Sequence, residues 1–201
     1  MKENQKIVII DYGAGNIQSI KFAIKRLGFE AILSSDAEQI RQADKVIFPG
    51  VGEAGSAMKM LRSTGLDELI PKLEQPVLGI CLGMQLMCTH SEEGNTTGLG
   101  IFDADVKRFD NSVKVPQIGW NQITNLNSHL FDNVKNGEYV YLVHSYYVPE
   151  CADEIARTEY GVNYSTALHR DNFYGVQFHP EKSSKTGEQI LENFLKLDLR
   201  N

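Results

Sequence analysis

Cysteine is scarce in this sequence: three residues in 201, at positions 81, 88 and 151. An odd count without paired spacing argues against a disulfide framework and against a cysteine-based zinc site, so no metal is expected. Long hydrophobic runs are missing as well. The apolar stretch Ile7–Ile10 is too short for a secretory core and has no small-residue cleavage site behind it, and no segment approaches the roughly 20 apolar residues of a membrane span. Membrane insertion is therefore not expected, and the cytoplasm is the expected compartment. Positive charge is in deficit: 20 Lys and Arg face 26 Asp and Glu, a net charge of −6, which argues against nucleic acid and anionic membrane surfaces as partners. Internal repeats, low-complexity tracts and linkers are not evident. What is there is ordinary globular material, 42% hydrophobic and 23% charged, long enough to bury a core without staples and expected to fold as one domain over residues 1–201.

The first half alternates short apolar runs with helical spacing. Lys6–Ile10 reads as a strand buried on both faces, and Glu30–Leu33, Lys45–Phe48 and Val77–Ile80 as further short strands. Between them, Asn16–Leu27 carries apolar residues at 17, 20, 24 and 27 with Gly28 as the stop, Asp36 can cap a helix to Ala43, Glu53–Leu61 is helical, and Gly83–Cys88 opens another helix. This pattern predicts an α/β fold of three layers, a mostly parallel central sheet with helices on both faces. From Asp105 to Tyr160 the pattern changes to short strands, 105–108, 113–118 and 138–143, with turn signals at Asp110-Asn111 and Asn136-Gly137. Antiparallel hairpins are expected there. Tyr164–His169 and Phe173–Phe178 read as paired strands turning at 170–172, and Thr186–Leu197 as a closing amphipathic helix.

The stretch Gly79-Ile80-Cys81-Leu82-Gly83 carries the chemistry. A strand runs into Cys81, a helix follows, and a glycine stands two residues away on either side: the pattern of a tight strand-to-helix elbow that presents a nucleophile. The helix start favours a thiolate, and the Leu82 N–H can face a developing oxyanion. A free cysteine is more often a small buried hydrophobe, and that reading is kept for Cys88 and Cys151, which lack such flanks. His179 closes the run Tyr174–Phe178, and Glu181 follows one residue beyond Pro180. Residues two apart on extended backbone share a face, so the carboxylate can fix the imidazole for acid–base work on the cysteine. His90, His129 and His169 lie in polar or turn-like surroundings and read as solvated; His144, before Ser145-Tyr146-Tyr147, is open between a binding and a structural role. Pro49-Gly50-Val51-Gly52 ends the third strand where ligands bind in doubly wound sheets, and the Val51 N–H is the second oxyanion candidate. Gly13-Ala14-Gly15 has Gln18 where a dinucleotide fingerprint needs a third glycine, so that site is not expected.

In order along the chain, Pro49–Gly52, Gly79–Gln85 (GICLGMQ) and Gly175–Glu181 (GVQFHPE) resemble the class I glutamine amidotransferases over nearly the whole sequence. The resemblance implies a flavodoxin-like sheet with added antiparallel strands, and glutamine hydrolysis through a glutamyl thioester on Cys81 with His179 and Glu181 completing a triad. It implies an oxyanion hole at Val51 and Leu82, and glutamine held by Gly50, Gly52, Gln85, Ser145 and Tyr146. No cofactor and no metal are implied. Within the family, Asp11–Ser19 (DYGAGNIQS), Lys114–Asn121 (KVPQIGWN), Tyr141–Tyr146 (YLVHSY) and Glu181-Lys182-Ser183 resemble the glutaminase subunits of histidine biosynthesis. Those pass ammonia to a (β/α)8-barrel cyclase in a heterodimer, which would put Asn16, Trp120, Asn121, Tyr141 and Lys182 near the partner. Glu53 departs from the histidine often found at its place. A glutaminase serving vitamin B6, anthranilate or surface-sugar synthesis, a catalytically silent scaffold of this fold, and a cysteine protease on a related sheet are the alternatives.

Overall fold

The structure is a computed structural model that describes residues 5–13 and 15–197. Residues 1–4, Ala14 of the Gly13-Ala14-Gly15 stretch and residues 198–201 lie outside them. The first half runs β1 (Ile7–Ile10), α1 (Ile17–Arg26), β2 (Ala31–Ser34), α2 (Ala37–Arg41), β3 (Lys45–Gly50), α3 (Ala54–Thr64), α4 (Leu66–Leu69), β4 (Val77–Cys81) and α5 (Leu82–Leu86). The second runs β5 (Cys88–Ser91), β6 (Thr96–Thr97), β7 (Phe102–Arg108), β8 (Gln117–Ile123), β9 (Glu138–His144), β10 (Tyr146–Pro149), β11 (Glu154–Tyr160), β12 (Val162–Arg170), β13 (Phe173–Val176) and α6 (Ser184–Lys196).

Strands β2, β1, β3, β4 and β13 lie side by side and parallel. Strands β12, β10 and β7 extend this block antiparallel, β11 pairs with β12, and β5 and β6 finish the far edge. The two-residue period of a strand separates the core into two layers. Val8, Ile10, Val46 and Phe48 face α2, α3 and α4 through Ile40, Met58, Leu61 and Leu69. Ile7, Ile9, Ile47 and Ile80 face α1 and α6 through Ile20, Ile24, Ile190 and Phe194. All four residues of β1 are buried, which is why the parallel strands read as continuous apolar runs. The expected three-layer α/β sheet with added antiparallel strands is what forms.

Two expectations are corrected. The helix after Cys81 does not reach Cys88: α5 ends at Leu86, and Cys88 and His90 belong to strand β5. Carbonyls that a longer helix would use are taken from outside, with Leu99 N–H donating to Leu86, Ile101 to Met87, Gly100 to Cys88 and Gly98 to Thr89. Residues 105–108 and 113–118 do not form a hairpin. Strand β7 is held on one edge by β10 and on the other by β5, while β8 starts only at Gln117 and pairs with β9 in a separate two-stranded sheet. The Asp110 turn forms, its carboxylate accepting from the Ser112 N–H at 2.9 Å, but Phe109 just before it stacks on Tyr147 of β10 at 4.5 Å and supports that pairing instead. The β12–β13 pair with its turn at Asp171-Asn172 forms as read.

Candidate functional site

Cys81 is the last residue of β4 and the cap of α5, with φ 55° and ψ −112°. That backbone is strained for a residue with a side chain, of order 1–3 kcal/mol, and persists only where neighbours impose it. The neighbours do so by near contact. A Cβ at Gly83 would lie 2.0 Å from the Phe48 carbonyl oxygen, and one at Gly79 would lie 2.9 Å from the Met84 nitrogen. The elbow therefore needs glycine on both flanks, Gly83 to close against the backbone of β3 and Gly79 to admit the backbone of α5 and the Met87 side chain. The same register sets Gly50 opposite Cys81, so the Gly50–Gly52 loop begins beside the sulfur. Tyr12 fastens that loop, its hydroxyl donating to the Pro49 carbonyl at 2.8 Å. Burial, and secondarily the proximity of Cys81, push the Tyr12 phenol well above its ordinary range, so it serves as a neutral donor.

Strand β13 ends at Val176, short of the Phe178 expected, and His179 follows it, set by two backbone anchors, its N–H on the Tyr141 carbonyl at 2.9 Å and its carbonyl accepting from the Ser183 hydroxyl at 2.7 Å. Its Nδ1 meets Glu181 Oε1 at 2.9 Å, with both side chains buried. Burial alone lowers the imidazole's affinity for a proton; hydrogen bonds to Cys81 and Glu181 outweigh it and push the pKa up to about 10. The ring is thus a cation at neutral pH, held between a sulfur and a carboxylate. This arrangement can hand a proton to a leaving amine. Above the three residues lies a cavity of about 380 Å³, bordered by Val51, Gly52, Leu82, Gln85, Ser145 and Tyr146 among others. Its size suits a small molecule.

The structure therefore brings Cys81, His179 and Glu181 into one cluster and sets Val51, Gly52, Leu82, Gln85, Ser145 and Tyr146 along the same cavity, while Gly50 lies opposite Cys81 in the sheet without bordering it. Residues 8–197 match the family described as glutamine amidotransferase class-I.

The chain belongs to the class I glutamine amidotransferases.

Among curated relatives, imidazole glycerol phosphate synthase subunit HisH of Bacteroides thetaiotaomicron is 58% identical over 195 residues, covering 96% of this amidotransferase and 100% of that protein. Its namesake from Yersinia pseudotuberculosis is 48% identical over 194 residues, 95% of this chain and 99% of that one. A solved glutamine amidotransferase superposes with a TM-score of 0.74 at 19% identity, over 94% of this chain and 97% of the other, a likeness of fold.

Three side chains at the amidotransferase site escape a reading of the sequence. Gln177 is completely buried and points its Nε2 at the Cys81 sulfur, 3.7 Å away. Glu93 borders the cavity while its Oε2 accepts from the Ala54 N–H at 2.9 Å, and burial raises its carboxyl above the usual range. Tyr12 is the third. The GVQFHPE run held the signal for Gln177, but only its partners give it a role. Glu53, the departure from the family habit, is the N-cap of α3: its carboxylate accepts from the Gly55 and Ser56 N–H groups and the Ser56 hydroxyl, each at 2.8 Å. The bonds from Ser56 are the leading reason its carboxyl lies below the usual range. It fixes the far end of the Gly50–Gly52 loop through backbone rather than through a ring.

The residues that the resemblance would put near a partner separate into distinct environments. Strands β8 and β9 expose Ile118, Trp120 and Tyr139 to more than half of their full surface. Register puts Trp120 opposite Tyr141, with rings 5.9 Å apart, on the same face. Lys182 borders the cavity and hangs over the Tyr141 ring at 6.0 Å. Asn121 instead donates to the Glu159 carbonyl at 2.9 Å, tying β8 to β11. Asn16 accepts from the Ser19 hydroxyl at 3.0 Å at the start of α1. His169 stacks on Tyr174 at 4.1 Å, so it is partly covered rather than free in solvent.

His144 borders the cavity but is built as a neutral support. Its Nδ1 lies 2.7 Å from the Tyr146 carbonyl and its Nε2 3.2 Å from the Tyr164 hydroxyl. Burial, with the nearby His179 charge, pushes its pKa down to about 4 despite the Tyr146 bond. An unfolded histidine titrates near 6.5, so below that pH the unfolded chain binds the proton first and the fold loses stability until about pH 4. The loss attributable to His144 is on the order of 3 kcal/mol. In urea titrations from pH 7 to 4, His144→Gln should flatten the acid-side decline by that amount; an unchanged slope would assign the decline to other groups.

Proposed function

We propose that this chain is the glutaminase of an imidazole glycerol phosphate synthase, folding as one cytoplasmic domain that releases ammonia for a cyclase partner in histidine biosynthesis. The observation that carries the reading is the Cys81–His179–Glu181 cluster at the floor of the cavity. Relatives named imidazole glycerol phosphate synthase subunit HisH, alike over almost their full length, support the pathway.

In this reading glutamine's side-chain amide lies over Cys81 while Glu93 attracts the α-ammonium group. The Cys81 thiolate adds to the amide carbon, and the N–H groups of Leu82 and Val51 stabilise the oxyanion, each contributing about 3 kcal/mol. The C–N bond breaks as His179 gives the departing nitrogen its proton, leaving a glutamyl thioester and ammonia. Water then attacks the thioester carbonyl, His179 takes a proton from it, and the C–S bond breaks to release glutamate and regenerate the thiolate. Glu181 holds the imidazole in orientation throughout. Gly50 and Gly52 give the loop the freedom to rotate a peptide toward the oxyanion, which keeps the isolated subunit slow until its partner docks. The exposed Ile118, Trp120 and Tyr139 form an apolar face beside the cavity, the kind of patch that marks a protein interface. A (β/α)8-barrel cyclase seated there, contacting Lys182, Tyr141 and the Asn16 end of α1, would receive ammonia before it reached solvent.

A diazo-ketone analogue of glutamine tests the site directly. The expected result is one adduct per chain, located on the Cys81 peptide and prevented by excess glutamine. Labelling spread over Cys88 and Cys151, or unaffected by glutamine, would contradict the reading.

A further inference from the structure

Gln177 is a fully buried polar side chain whose hydrogen bonds lead from the pocket wall to the nucleophile. Gln85 Nε2 donates to the Tyr146 carbonyl at 2.9 Å and to Gln177 Oε1 at 2.8 Å; Gln177 Nε2 in turn donates to the Cys81 sulfur at 3.7 Å. Carboxamide orientations are set by such networks, and this one has a fixed end. A backbone carbonyl can only accept, so Gln85 must present its NH2 to Tyr146. Its other N–H then needs an acceptor, which only the oxygen of Gln177 supplies in that direction. The Gln177 NH2 is left facing sulfur. Reversing Gln177 would oppose two donors, and reversing both would set the Gln85 oxygen against the Tyr146 carbonyl oxygen. On its other sides the sulfur meets His179 and, at 3.8 Å, the Val143 carbonyl.

We propose that Gln177 is a positioning residue for the nucleophile: its N–H, locked by Gln85 and Tyr146, holds the Cys81 sulfur in place and favours its anionic form. The inference rests on Cys81 being the nucleophile. A hydrogen bond to an ionised acceptor is stronger than one to a neutral acceptor, so the contact strengthens as the thiolate forms and weakens once the sulfur is acylated. It also links glutamine's own cavity wall to the sulfur, because Gln85 and Tyr146 border the pocket.

The test uses Gln177→Glu, which keeps size and the acceptor for Gln85 but turns a carboxylate oxygen toward sulfur, and Gln177→Met, which keeps length and removes the amide. Alkylation of Cys81 by iodoacetamide is followed across pH by peptide mass, and kcat and KM for glutamine are measured with the cyclase bound. The titratable groups facing Cys81 are His179, backed by Glu181, and Tyr12; all remain in both variants. The expected result is an alkylation profile moved about one unit to higher pH, with kcat lower by about tenfold to a hundredfold and KM changed far less. Folded variants with the wild-type alkylation profile and kcat would overturn the proposal. A shift in Gln177→Met, which adds no charge, supports the proposal; where Gln177→Met does not fold, Gln177→Asn takes its place, and an unchanged profile in Gln177→Glu overturns the proposal by itself. Failure of the nucleophile assignment would look different, as glutaminase activity that survives Cys81→Ala.

Discussion

Cys81→Ala should lower partner-activated glutamine hydrolysis by about 10⁵-fold, since removing the nucleophile of a cooperating triad costs nearly as much as removing the whole triad. Alanine deletes one buried sulfur at a site that is 7% exposed, and the strained φ of 55° there is no easier for alanine than for cysteine. The fold should therefore survive, and the thermal midpoint should stay close to wild type. Glutamine binding should persist, because Gln85, Glu93 and the Gly50–Gly52 loop are untouched. Steady-state assays, mass spectrometry for a glutamyl adduct and binding calorimetry separate these outcomes. An inactive variant that still binds glutamine but never accumulates the adduct is expected. Retained turnover would move the nucleophile elsewhere.

The largest structural effect is expected from Gly83→Ala. Its new methyl group would lie 2.0 Å from the Phe48 carbonyl oxygen and 3.0 Å from that carbonyl's carbon. Both are backbone of β3, in the middle of the parallel sheet, so neither can yield as a flexible side chain would. The elbow and β3 must separate, at a cost of about 3 kcal/mol or more. Gly100→Ala is the internal comparison. Gly100 has φ 67° but nothing within 4 Å of an added Cβ, so its cost is only that of the left-handed backbone, about 1–2 kcal/mol. Urea denaturation of the two variants should rank them in that order. Since a displacement of about 1 Å at a reacting atom can cost a hundredfold in rate, whatever Gly83→Ala protein folds should also be a poor glutaminase. Equal stabilities would mean that the close approach of the elbow to β3 does not fix the site.

These two positions were legible from the chain because each leaves a local mark: a cysteine between glycines, at the end of an apolar run. Strands β1, β3 and β4 were legible for a similar reason, as burial on both faces removes polar residues from the run. The His179–Glu181 pair could be read because its partners are two residues apart, although they meet around a 3-10 turn at Pro180–Lys182 and not along the extended backbone expected. What could not be read depends on distant partners. Gln177 meets Gln85 across 92 residues, and an isolated glutamine in a strand-like run has no signature. Helix α5 stops at Leu86 because residues 98–101 take its next carbonyls, which no helical spacing in 83–88 reveals. Strand β8 pairs with β9 rather than β7 because aromatic packing around Phe109 commits β7 to β10.

One assay shows whether Cys81 drives a glutaminase governed by a cyclase partner. Glutamate release from glutamine is measured for the purified chain alone, and with a histidine-pathway cyclase carrying its nucleotide ligand, beside Cys81→Ala under both conditions. Slow release alone, strong acceleration by the liganded cyclase, and neither in the Cys81→Ala variant are the expected results. Release that is indifferent to the cyclase, or that persists without Cys81, would contradict the proposed function.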